Sequence, residues 1–128
     1  MLGGAKLKAG KRAPEDTYQV TMEKAKPEAI AAVDRCQRIV NNDIENIPYG
    51  LIVAWASVYC IGRATAAGAS SDLYTAHVVL VITFGVARIA HTMTYALAMS
   101  FARSAAWVVG IFSVIGLAIN GIVASFMI

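Results

Sequence analysis

Three apolar stretches constrain this chain more than anything else in it: Ile47 to Gly62, Leu73 to Met99 and Ala102 to Ile128. A helix crosses roughly 30 Å of bilayer hydrocarbon in about 20 residues, and the second and third stretches reach that length unaided. The first reaches it when its helix continues back through "RCQRIVNNDIEN". Strands are no alternative, because open sheet edges leave backbone groups unsatisfied in lipid, and the alternating pattern of a membrane barrel is missing. A 58% hydrophobic share and a mean hydropathy of +0.60 agree with lipid as the solvent. The expected architecture is all-α and integral to the membrane: an antiparallel transmembrane helix bundle over residues 28–128. Its spans fall near 28–62, 72–99 and 102–127, behind a cytoplasmic polar segment, residues 1–27.

The net charge of +3 matters through its placement. Eight of the eleven Lys and Arg precede Ile47, and the rest are Arg63, Arg88 and Arg103. Positive-inside bias puts the N-terminal segment and the Met99–Arg103 turn in the cytoplasm, with the Arg63–Asp72 loop across the membrane. Seven acids are interleaved with the N-terminal basic residues, which suits a solvated helix face rather than a nucleic-acid patch. Cys36 and Cys60 lie near opposite ends of one predicted helix, too far apart to pair, and read as reduced thiols. Neither has the His or Cys neighbours of a metal site, so no metal is expected. The opening "MLGGAKLKAGKRAPED" lacks the apolar centre of a secretory leader.

Along the chain, Pro27 and Glu28 mark a helix start, while Pro48 and Gly50 predict a bend where polar and apolar halves meet. Ser71 or Asp72 is the expected N-cap of the second span, and "SFAR" reads as a tight connection to the third. Ala102, Ala106 and Gly110 recur every fourth position, which suits close helix contact in lipid.

The polar residues inside these spans are patterned. At about 100° per residue, Arg35, Arg38, Asn42 and Glu45 fall within roughly an 80° arc of one face. Arg88, His91 and Tyr95 repeat the three-then-four spacing in the second span, and Arg103 and Ser104 open the third at the same end. Ionisable groups at such depth are costly unless paired or wet, which points to a polar cavity between helices. Each residue alone also has a simpler reading. Arg35 and Arg38 fit snorkelling to headgroups, Arg88 fits a salt bridge to Glu45 or Asp43, His91 a satisfied core histidine, and Tyr95 an interfacial aromatic. Asn120 reads as a helix-to-helix hydrogen bond, and Tyr74 and His77 as belt residues at the opposite interface. As a set, paired arginines suit carboxylates, a glutamate suits an ammonium, and a hydroxyl beside an arginine suits a thiolate. A small zwitterionic peptide with a thiol meets all three.

At these residues the chain resembles the membrane-associated proteins in eicosanoid and glutathione metabolism (MAPEG), in the branch of microsomal glutathione transferase 1 and microsomal prostaglandin E synthase 1. The likeness is carried by "RCQRIVNNDIEN", "ARIAHTMTY", "APED" and "RSAAW", in the family's order and spacing over roughly residues 13–107. It implies a homotrimer of four-helix subunits that binds glutathione as cosubstrate between neighbouring subunits. "MLGGAKLKAGK" resembles the end of the family's first helix, so three spans are expected here against four. Asn41 stands where relatives carry a basic residue, and the Arg103 register needs a one-residue deletion after Tyr95.

Carried over by position, the resemblance implies that Arg35, Arg38, Asn42, Glu45, Arg88, His91 and Tyr95 hold glutathione. Arg103, Ser104 and Asp16 would stabilise its thiolate for attack on hydrophobic electrophiles. The implied activity is a microsomal-type glutathione transferase, extending to lipid hydroperoxide reduction. The implied location is multi-pass in the endoplasmic reticulum of a eukaryote or the inner membrane of a bacterium. Two other readings stay open: a non-catalytic relative that presents lipids, and a charged stripe that only stabilises an oligomer.

Overall fold

The computed structural model describes Ala5 and residues 26–128. Among the described residues there are three helices and no strands: α1 (Pro27–Ala66), α2 (Asp72–Ala96) and α3 (Ser100–Ser125). Each is long and apolar enough to cross a membrane, and the all-helical expectation holds. At 1.5 Å per residue, α2 and α3 measure about 37 and 39 Å.

The chain divides into two compact units, Met1–Asn42 and Asp43–Ile128. In the first, the opening turns of α1 bury Val33 and Ile39 and expose Arg35 and Arg38. Gln37 Nε2 donates to Asn41 Oδ1, one turn on, at 2.9 Å.

The second unit holds α1 from Asp43 onward with α2 and α3. Here α1 and α2 run antiparallel, with Asp43 opposite Arg88, Gly50 opposite Phe84 and Ser57 opposite His77. The helices α2 and α3 are antiparallel as well: Asn120 meets Leu73, Gly116 meets Leu80 and Gly110 meets Ala87. Pro48 and Gly50 do not end α1, which continues through both. Gly50 also has a contact reason, since a Cβ there would run into the Phe84 ring. At Gly121 a Cβ would stand 2.9 Å from the Cα of Ser57, so α1 and α3 touch backbone to backbone.

Apolarity is turned outward. Trp55 is 81% exposed and Phe112 67%, while the largest fully buried side chains are Ile61 and Leu117. Ser57, His77, Arg88, His91, Ser113 and Asn120 lie inside. That inversion suits lipid, where polar groups must find partners within the protein. Ser113 returns its hydroxyl to Val109 O at 2.8 Å and Thr83 to Val79 O at 2.7 Å. Asn120 Nδ2 donates to Leu73 O at 3.0 Å, the interhelical bond its depth predicted. His77 departs from the belt reading: it is buried, with Nδ1 3.4 Å from Ser57 Oγ.

Both connections are tight. Gly68 (φ +100°) ends α1 in a Schellman motif, with Ala69 N–H on Ala64 O and Gly68 N–H on Thr65 O. Ala98 takes the same role after α2 at φ 59°, with Met99 N–H on Thr94 O and its own N–H on Tyr95 O. The turn is therefore Leu97–Met99, and "SFAR" is the first turn of α3 rather than a connection. Ser71 occupies the N-cap position of α2 without a side-chain cap bond. The Ser70 hydroxyl accepts from Asp72 N–H at 3.1 Å in its place.

Candidate functional site

One group of polar residues of the second unit, Asp43, Arg88, His91, Thr92, Tyr95 and Arg103, gathers at the end marked by the Leu97–Met99 turn. Arg88, two turns inside α2, is 6% exposed, and its Nη2 donates to Asp43 Oδ1 on α1 in an ion pair. Thr92, one turn on, donates to Asp43 Oδ2 at 3.1 Å. Of the two partners proposed for Arg88 from the sequence, Asp43 is the one it takes. Glu45 lies two residues further, about 160° around the helix, and is exposed.

One turn from Arg88, His91 is 4% exposed, and its Nδ1 has no hydrogen-bond partner among the described residues. Its ring meets Tyr95 edge-on, with centroids 5.8 Å apart at 65°. Arg103 reaches across from the first turn of α3 and places its guanidinium carbon 4.6 Å from the Tyr95 centroid, a cation–π contact. The Schellman turn at Ala98 makes this possible by folding α3 back within three residues.

Beside this cluster lies a cavity of about 310 Å³ lined by His91, Arg103, Ser104, Trp107 and Val108. Ser104 Oγ donates to Ser100 O at 3.1 Å, so an acceptor in the cavity would compete with a backbone carbonyl for that proton. The wall is thus part cationic fork, part imidazole and hydroxyl, part indole and valine. Such a wall accepts an anionic or strongly polar group with an apolar neighbour.

Of the residues picked from the sequence, His91, Tyr95, Arg103 and Ser104 come together. Arg88 stands next to them, committed to Asp43, and Glu45 stands apart. Arg35, Arg38 and Asn42 belong to the first unit, the arginines exposed and Asn42 half-buried. Asp16 lies outside the described residues. Sequence reasoning missed Thr92, Trp107 and Val108. Two of them carried a usable signal, since Thr92 stands four residues after Arg88 and Trp107 four after Arg103, one helical turn on the same face. Among the described residues no three His, Cys, Asp or Glu converge on a metal site.

A comparison with protein-family models matches residues 1–123 to the MAPEG family. A comparison with curated proteins gives no significant match, and neither does one with solved structures. With nearly the whole chain covered, and with three helices long and apolar enough to cross a membrane, the chain belongs to the MAPEG family.

Proposed function

We propose that this chain is a glutathione-dependent membrane transferase of the microsomal glutathione transferase 1 and prostaglandin E synthase 1 branch. The observation that carries the reading is the Arg103 guanidinium over Tyr95, at a cavity shared with His91 and Ser104. The residues suit the tripeptide chemically. Arg103 offers charge-assisted donors to an anion, the orphaned His91 Nδ1 offers a partner to a polar group, and Trp107 with Val108 offers an apolar wall.

In this reading glutathione supplies the nucleophile. Its thiol, with a free pKa of about 8.5, is held as thiolate by the Arg103 charge and a rotated Ser104 hydroxyl. The proton leaves to water, the sulfur bonds to an electrophilic carbon, and the leaving group departs with the bonding pair. The protein contributes positioning and positive charge. Toward a lipid hydroperoxide the same thiolate attacks the terminal oxygen, the O–O bond breaks and the lipid alkoxide leaves to be protonated to the alcohol; a second glutathione then displaces the sulfenic hydroxyl as water and closes the disulfide.

Glu45 and the Arg35, Arg38 and Asn42 face would complete the site from a neighbouring subunit of a homotrimer. Glu45's exposure, about 160° from Asp43, supports this division. The turn end faces the cytoplasm by charge bias. The membrane is the endoplasmic reticulum or a bacterial inner membrane, according to source.

The test is glutathione calorimetry on the detergent-solubilised chain with an ultraviolet thiolate difference spectrum, in wild type and Arg103→Leu. Binding with a thiolate band, lost in the variant, is expected. Lipid affinity without any glutathione binding would replace this reading with the lipid-presenting one.

A further inference from the structure

Two arginines stand at the turn end of the second unit, and they are held in different ways. Arg88 is buried and spends its charge on Asp43. Arg103 is half-buried, and among the described residues no carboxylate or carbonyl takes its guanidinium N–H groups. What holds it is the Tyr95 ring, with the guanidinium carbon 4.6 Å from the centroid. The difference matters electrostatically. A carboxylate partner offsets an arginine's charge, whereas a neutral aromatic face attracts the cation through its quadrupole and leaves the net charge in place.

The ring itself is braced. Tyr95 lies in the last turn of α2, one helical turn beyond His91, and the two rings meet at 65° with centroids 5.8 Å apart. His91 is 4% exposed, so the base of this stack is packed into the bundle. An arginine without such a contact samples many rotamers and spreads its charge over them. Held over Tyr95, the guanidinium stays at the cavity that His91, Ser104, Trp107 and Val108 also line.

We infer that Tyr95 is a positioning residue, the face of its ring rather than its hydroxyl holding Arg103 at the cavity with charge and N–H donors unspent. The role rests on the glutathione reading and refines it. Tyr95 moves from the tripeptide's contacts, where the resemblance put it, to the support of the group that meets the thiolate. A neutral support suits that task, because a thiolate is stabilised by positive charge that no nearby anion has already compensated.

Glutathione would be added to the full detergent-solubilised chain over a pH series, and the midpoint of the ultraviolet thiolate band read. The chains are the parent, Tyr95→Phe, Tyr95→Leu, Arg103→Leu and the double variant Tyr95→Leu with Arg103→Leu. Tyr95→Phe keeps the ring and should keep the parent midpoint. Tyr95→Leu releases the arginine and should raise the midpoint by about one pH unit, an approximately tenfold loss of thiolate on the acid side. In the Arg103→Leu background the same change should add nothing, because the tyrosine acts through the arginine. Where circular dichroism shows Tyr95→Leu misfolded, Tyr95→Met replaces it as the ring-free variant. A midpoint raised as far by Tyr95→Phe as by Tyr95→Leu would overturn the inference in favour of the hydroxyl. So would a Tyr95→Leu midpoint equal to the parent's while Arg103→Leu moves it, or equal losses in both backgrounds. The parent chain separates the two levels: no thiolate band there overturns the glutathione reading and this role with it.

Discussion

Arg88 and Asp43 join α2 to α1 through an ion pair in which Arg88 is almost fully buried, and Thr92 closes the remaining carboxylate oxygen. Within a membrane-spanning helix this arrangement decides which substitutions are tolerated. Removing one partner strands a charge, whereas removing both does not. Asp43→Ala should therefore lower stability by about 3 kcal/mol, while Glu45→Ala, at an exposed position, should change it by less than about 0.5 kcal/mol. The double variant Asp43→Leu with Arg88→Leu should recover most of the loss. Denaturant midpoints in detergent micelles measure all three, and equal effects of Asp43→Ala and Glu45→Ala would contradict the pairing.

Ala98 holds a left-handed conformation, φ 59°, at the point where α2 turns into α3. An L residue there costs about 1–2 kcal/mol relative to an unhindered backbone, and glycine removes the cost. Ala98→Gly should raise stability by about 1 kcal/mol, with glycine's greater freedom in the unfolded chain taking back part of the gain. Thermal unfolding followed by circular dichroism reads the shift. A lower midpoint in Ala98→Gly would show that the turn is not the one described.

Two glycines on α3 should respond oppositely to the same methyl group. At Gly110 a Cβ would meet Ala87 Cβ at 3.9 Å, ordinary contact. At Gly121 it would meet the Cα of Ser57 at 2.9 Å, and a backbone atom cannot step aside. Gly110→Ala should be neutral or slightly stabilising through helix propensity. Gly121→Ala should cost about 1–3 kcal/mol by overpacking. The order of the two midpoints is the test.

These contacts mark what was readable in advance. The three spans follow from apolar length alone, and Asn120 followed from its depth, since an amide inside hydrocarbon must find a partner. Arg88 was legible as a paired charge, but choosing Asp43 over Glu45 needed the face that α1 turns to α2. His77 was misread for a related reason. Counting residues from the loop placed it near an interface, while its burial depends on Ser57, twenty positions earlier, and on the closeness that Gly121 permits. Trp107 was visible in "RSAAW" but became a cavity wall only once the rotation of α3 was known. Periodicity gives the faces of a helix; neighbours across the chain decide what each face meets.

If the site is shared between subunits, its halves can be separated genetically. Arg103 lies at the cavity edge on α3, and Glu45 is exposed on α1 on the side away from Asp43. In a homotrimer with sites between neighbours, Arg103→Leu and Glu45→Gln chains would each be inactive alone. Mixed trimers would still contain junctions where an intact Arg103 faces an intact Glu45. Co-expression of differently tagged variants, followed by tandem purification, should restore glutathione conjugation to about a third of the parent rate, because each mixed cyclic trimer holds one intact junction of three. A site built wholly within one chain would show no recovery, because every such site in the mixture would lack one residue or the other.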